Sequence, residues 1–258
     1  MALEHQYGPH VHLSDNLWLR SLLVRIGAPD TPLRDIAELV RAAYRFLAAD
    51  VLGAEFPRTD VRAPTRMLAS EPRGVYTGPA LCPETPLVVA GIVRGGILPA
   101  QVCYEAACQV LPPENVRLDF LTMSRTLDGD GRVTGVRTEG SKIGGSAAGA
   151  VVLIPDPMGA TGGTIARTIE IYNAMEGAPP ARFVAAHLMV TPEALQRLTA
   201  GYPELRIHAG RFDRGLSAAE VLDTLPGAFP ERERGLTEHQ YIVPGAGGIG
   251  EILTNSWV

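Results

Sequence analysis

The chain has 258 residues, 46% of them hydrophobic and 20% charged, with a formal net charge of -5; this suits one large α/β domain with a sizeable core. The acidic balance argues against a broad nucleic-acid-binding surface, although it leaves room for a local basic pocket. No apolar segment approaches the roughly 20 residues that span a bilayer, and no basic-then-apolar leader opens the chain, so a cytoplasmic location away from membranes is expected.

Residues 1–31 read as an arm with a short helix around Leu17-Trp18-Leu19 and Leu22-Leu23-Val24. A helix follows over 32–52, because Ile36, Leu39, Val40, Ala43, Leu47 and Val51 recur at three-to-four spacing; Thr31-Pro32 offers a cap and Gly53 a stop. Beyond it, short β-branched runs at 87–93, 116–123, 151–154, 183–190 and 205–208 alternate with helical patterns at 98–110, 163–176 and 192–200. That alternation predicts a mainly parallel, twisted sheet flanked by helices, an α/β fold within a single domain. Two long connections interrupt it, a flexible, glycine-rich loop over 124–149 and a stretch over 211–239 that reads as an insertion. The three cysteines, Cys82, Cys103 and Cys108, lack C-x-x-C spacing and read as small, buried or half-buried hydrophobes.

The chemistry concentrates after the apolar run Val151-Val152-Leu153-Ile154. There the chain reads Asp156-Pro157-Met158-Gly159-Ala160-Thr161-Gly162-Gly163-Thr164 and then turns helical, with Ile165, Ile169 and Tyr172 on one face. Backbone N–H groups at a helix N-terminus, unobstructed at Gly162 and Gly163, suit a phosphate dianion, and the Thr161 and Thr164 hydroxyls add donors. No lysine follows the glycines, so this is not a Walker loop. Asp156 is set to accept hydrogen bonds from ribose hydroxyls while the loop holds the phosphate. Taken alone, such a turn is as often a plain strand-to-helix connection as a phosphate cradle.

With Asp156 included, the loop resembles that of the uracil phosphoribosyltransferase family, whose fold is the type I phosphoribosyltransferase fold. Only Gly159 departs, where the family usually has a bulkier apolar residue. Three further stretches carry the resemblance. Val93-Arg94-Gly95-Gly96 looks like the family's pyrophosphate loop, with Arg94 against the diphosphate. Arg125 is similar to the second phosphate-binding arginine, which opens the family's flexible loop. Tyr241-Ile242-Val243-Pro244-Gly245-Ala246-Gly247-Gly248-Ile249-Gly250, within the C-terminal stretch 240–258, looks like the segment that recognises uracil.

The resemblance implies transfer of the phosphoribosyl group of phosphoribosyl pyrophosphate to uracil, giving UMP and pyrophosphate. It assigns Arg94 and Asp156 to catalysis, and Arg94, Arg125 and Asp156 through Thr164 to the donor. Uracil falls to Ile242, Gly247, Gly248 and Ile249, read mostly through backbone groups. Mg2+ would be carried mainly by the diphosphate of the substrate rather than by protein ligands. A homodimer or higher homo-oligomer, and GTP as effector, are family expectations of the same kind.

Here too the chain departs from the family, which continues Gly-Asp-Ala-Gly-Asp-Arg where this sequence has Gly247-Gly248-Ile249-Gly250-Glu251-Ile252. A carboxylate is lost at 248, and bulk is added at 249 beside the expected base pocket. Two other readings therefore stay open, transfer to a different nucleobase and a non-catalytic sensor of phosphoribosyl pyrophosphate. No role is assigned to His5, His10 or His12 in the arm, to His187 in its apolar strand, or to Glu231 to Arg234, whose alternating signs suggest a solvated face.

Overall fold

The first half of the chain runs β1 (Val11–Leu13), α1 (Leu17–Gly27), α2 (Leu33–Glu55), β2 (Arg58–Pro64), β3 (Val75–Leu81), β4 (Leu87–Val93), α3 (Ile97–Ala107) and β5 (Val116–Leu127). It continues with β6 (Val133–Lys142), β7 (Val151–Pro155), β8 (Met158–Gly159), α4 (Gly163–Asn173), β9 (Arg182–Val190), α5 (Pro192–Gly201), β10 (Arg206–Phe212), α6 (Ala219–Leu222) and α7 (Ile249–Thr254). These elements come from a computed structural model that describes residues 2–127, 129 and 133–256, with backbone alone at 125, 127, 133, 134 and 136.

One sheet has the order β1-β10-β9-β7-β4-β5-β6, with β8 joined to β9, and β2-β3 forms a separate hairpin. Every pairing in the main sheet is parallel except β5 with β6. The mainly parallel sheet expected from the apolar runs is thus present, and its central strands β4 and β7 are apolar throughout because helices cover both faces. Alternate residues divide between two cores. Val89, Leu153 and Val184 pack with Leu23, Val40 and Leu47 of α1 and α2, whereas Val88, Val152 and Ala185 pack with Ile165, Ile169, Leu195 and Leu198 of α4 and α5. Each fully buried leucine contributes about 1.5–3 kcal/mol of transfer free energy.

Helix α2 buries the predicted stripe, but two details differ. Thr31 donates its hydroxyl to the Arg25 carbonyl (2.6 Å) instead of capping α2. Gly53 does not stop the helix, which runs on to Glu55 because Leu52, Glu55 and Phe56 are all buried. The 124–149 stretch is also not simply a loop: β5 extends to Leu127 and pairs antiparallel with β6, with register shifts at Thr122/Met123 and Thr126/Leu127. Glycines spaced along a strand tolerate such irregularities. This hairpin leans on α4, where Arg167 Nε donates to Thr138 Oγ1 at 3.0 Å. Below it, the buried Asp119 accepts from Arg117, the Gly144 N–H and the Tyr172 hydroxyl.

The 211–239 stretch is held from within rather than solvated throughout. Glu233, expected on a solvated face, is fully buried; its carboxylate accepts from the Tyr7 hydroxyl, Arg214 and the Gly227 N–H. The sign pattern misled because two of these partners, Tyr7 and Arg214, are distant in sequence. The three cysteines are free, with Cys103 buried and the other two half-buried.

Candidate active site

Strands β4 and β7 are neighbours in the sheet, so the segments that leave their carboxyl ends lie side by side. This is where open α/β sheets form ligand crevices. A cavity of about 220 Å³ opens there; Arg94, Gly95 and Gly96 line one wall and Asp156 to Gly162 with Thr164 another, while Gln240 to Ile242 and Gly247 to Glu251 close it. Arg94, the Asp156–Thr164 loop and the C-terminal segment, which were singled out separately along the sequence, therefore face one space. Gly163 does not line it and is buried as the first residue of α4. The Arg125 side chain lies outside the described residues; its backbone is part of β5, opposite Val136.

The loop after β7 is fixed by hydrogen bonds to β9 and its C-terminal end. Asp156 N–H donates to the Ala186 carbonyl, Pro157 accepts from the Leu188 and Met189 N–H groups, and Thr191 Oγ1 donates to Ala160 at 2.6 Å. The Asp156 carboxylate accepts from the Met158 N–H (3.2 Å) and from Thr164 Oγ1 (3.0 Å), so the acid and the helix start are oriented together. Gly162 at the N-cap has no side chain to cap α4, and the Gly163 N–H makes only a long contact to Thr161 Oγ1 (3.4 Å), so the first turn stays available to an anion.

Gly162 makes that turn possible. Its φ is +71°, and an added Cβ would lie 2.8 Å from Leu198 Cγ. Left-handed backbone costs a non-glycine residue about 1–2 kcal/mol, and the overlap about 1–3 more. Gly162→Ala is expected to lower the melting temperature by about 5–15 °C; a parent-like melt would mean that the loop relaxes freely.

Gly159, the family departure in the loop, has a local reason. A Cβ there would lie 3.0 Å from the His187 ring, so the histidine fills the space that a larger residue would use. His187 is indeed a core residue, with Nδ1 2.6 Å from the Asp156 carbonyl, though Nε2 has no partner among the described residues. Burial holds its imidazole below the ordinary histidine range, against a smaller upward pull from Asp156.

At the other end of the cavity, Ile249 is 0% exposed and belongs to the same buried cluster as Ile242 and Ala246. Its bulk, expected beside the base pocket, is accommodated largely by the core. Gly248 bears on a residue that sequence reasoning did not assign. The Cβ it lacks would fall 2.1 Å from Glu251 Oε2, so the Glu251 carboxylate already occupies the space a side chain at 248 would enter. The Glu251 carboxylate has neither a hydrogen-bonding nor an ion-pair partner among the described residues, although its backbone carbonyl accepts from the Ser256 N–H. An acid stands at 251 in this sequence, as the family pattern also has, and that was the available signal. Gln240 had no such signal: it lines the cavity, has φ +60°, and its Oε1 is buried with no donor among the described residues.

Two contacts hold other parts of the site. Arg94 Nη1 donates to the Ser256 carbonyl at 2.6 Å, a contact that a diphosphate would have to replace. Gly245 is gripped at both backbone groups, its N–H by Asp213 Oδ2 (2.8 Å) and its carbonyl by Arg211 (2.9 Å).

Comparison with known proteins bears on this geometry. A family model described as uracil phosphoribosyltransferase matches residues 13–232. The uracil phosphoribosyltransferase of Acinetobacter baylyi is 28% identical over 170 residues, covering 66% of this chain and 65% of that protein. That of Saccharomyces cerevisiae is 31% identical over 100 residues, covering 39% and 37%. The chain thus spans less than two thirds of the length of these relatives. The structure of the AQ2163 protein from Aquifex aeolicus matches with a TM-score of 0.69 over 96% of this chain and 99% of that one, at 23% identity. This last likeness concerns the fold alone.

Proposed function

Because this chain belongs to the uracil phosphoribosyltransferase family, we propose that it is a pentosyltransferase that moves the phosphoribosyl group of phosphoribosyl pyrophosphate to uracil. The observation that carries the proposal is the single cavity shared by the start of α4, Asp156, Arg94 and the 240–251 segment. A phosphate at one end and a planar base at the other would hold the anomeric carbon between them.

In this reading the Thr161–Thr164 turn binds the 5-phosphate as a remote anchor, which fixes the geometry of attack. Uracil N1 attacks the anomeric carbon as its bond to the diphosphate oxygen breaks, inverting that carbon; the N1 proton is lost and pyrophosphate leaves. Asp156 faces the ribose and favours the cationic character that develops there. Arg94 offsets charge on the leaving diphosphate, its planar fork suiting paired bonds to phosphate oxygens. Arg125 is proposed as the second donor-binding arginine on the family resemblance alone.

Mg2+ is proposed to accompany the diphosphate and to neutralise its charge when bound. The residues present fit a hard cation: both Asp156 oxygens already accept hydrogen bonds, while Glu251, whose carboxylate is unpaired among the described residues, lines the cavity. Glu251 would hold the ion from the protein side. For the base, the Gln240 Oε1 acceptor without a donor matches a ring N–H such as that of uracil. The reading also includes a homodimer or larger homo-oligomer, supported by the exposed Leu17, Trp18 and Val24 of α1; GTP as effector enters it from the family alone.

A second reading, transfer to another nucleobase, is favoured by one observation. Gln240 and Glu251 bring side chains to an end of the site that the family reads mostly through backbone groups. Purified protein with Mg2+ and phosphoribosyl pyrophosphate, challenged with a panel of nucleobases, is expected to release pyrophosphate with uracil. Release with another base only would transfer the assignment to that base. Tight donor binding without release from any base would identify a sensor.

A further inference from the structure

We propose that His12, His208 and Glu55 form a binding site for a divalent transition-metal ion of the zinc class, where β1, β10 and the end of α2 meet. His12 and His208 are direct partners in the parallel pairing of β1 with β10, so the spacing of adjacent strands sets their separation. Their rings stack with centroids 4.5 Å apart and planes at 26°. Both Nε2 atoms face the same oxygen, Glu55 Oε1, at 3.4 Å from His12 and 3.0 Å from His208. All three ligand atoms lie within 4.8 Å of one another.

These separations suit the ion. In tetrahedral coordination with bonds of about 2.0–2.1 Å, neighbouring ligand atoms stand about 3.3 Å apart. Two edges of such a tetrahedron are thus nearly formed. Two imidazole nitrogens and one carboxylate oxygen favour zinc over magnesium or calcium, which prefer all-oxygen sets.

The surroundings hold the ligands in place. Glu55 Oε2 is engaged by Arg182 (3.1 Å) and Arg206 (3.6 Å), which leaves Oε1 to the histidines. On its far side, His208 Nδ1 is 3.8 Å from Asp50 Oδ2, an ion-pair separation longer than a hydrogen bond. Glu55 and His208 are 7% and 2% exposed, but His12 is 39% exposed. A cavity of about 310 Å³, lined by His12, His208, Asp50, Ser14 and Asn16 among others, opens beside the cluster. It leaves room for a water as fourth ligand. None of the three ligands lines the cavity at the end of β4 and β7, so the role is to fasten the N-terminal arm to the sheet. Each imidazole binds through an unprotonated Nε2, and the ion displaces any proton held there.

The test is calorimetric titration of the chelator-treated full chain with zinc chloride alone. One equivalent per chain, bound with micromolar or tighter Kd and raising the melting temperature, is expected. His12→Gln keeps an N–H donor for Glu55 but removes the imidazole, so it should melt like the zinc-free parent and bind zinc at least about 10-fold more weakly. His208→Asn should do the same to binding. Cobalt in place of zinc should give a visible spectrum without thiolate charge transfer, which excludes Cys82 and Cys108. Absence of stoichiometric uptake would overturn the site and leave an ion-free hydrogen-bonded cluster. So would one equivalent bound equally well by His12→Gln, even if His208→Asn fails to fold.

Discussion

Asp156→Asn is expected to lower kcat/KM for phosphoribosyl transfer by about 100- to 1000-fold, with the melting temperature almost unchanged. The replacement is isosteric. Asn keeps Oδ1 as acceptor for the Met158 N–H, and its amide meets the Thr164 hydroxyl, which turns from donor to acceptor. The backbone bonds that pin the loop to β9 do not involve the side chain. Only the negative charge is lost, and that charge is what would favour a cationic ribose. Steady-state kinetics with varied phosphoribosyl pyrophosphate, beside a thermal melt, checks this. The fall should appear mainly in kcat, because the phosphate turn continues to anchor the donor. An unchanged rate would remove Asp156 from the chemistry.

Asp213→Ala should act through stability and through the base. Asp213 is 1% exposed, pairs with Arg211 and accepts from the Gly245 N–H. Truncation strands a half-buried guanidinium and a buried backbone donor, a loss of about 3–5 kcal/mol. The melting temperature should fall by about 10 °C or more. Gly245 opens the turn that leads to Gly247 and Gly248, so KM for the base should rise at least about 10-fold while KM for the donor moves less. Equal changes in both constants would show that the segment is not dedicated to the base.

Parts of this architecture could be read from the sequence because their causes are local. Apolar runs buried on both faces gave β4, β7 and β9 nearly residue for residue, and the stripe from Ile36 to Val51 gave α2. Other parts depend on partners far away in the chain. The β2–β3 hairpin is largely exposed and carries Pro64 and Pro79, so it lacks an apolar alternation. Strand β1 has three residues and exists through β10. Glu233 is buried because Tyr7 and Arg214 reach it. At the site, the phosphate turn was legible because strand, glycines and helix are contiguous. Asp213, Gln240 and Glu251 gain their positions only when β10 and the C-terminal segment fold against the β7 loop.

Gly248 and Glu251 also constrain how this end of the chain can diverge. With the Glu251 carboxylate 2.1 Å from where a Cβ at 248 would stand, a single exchange to Asp at 248 meets both steric overlap and like charge. The overlap falls on the far end of a flexible side chain that can swing aside, so the like charge is what couples the two positions, and relatives should favour matched combinations of the two residues.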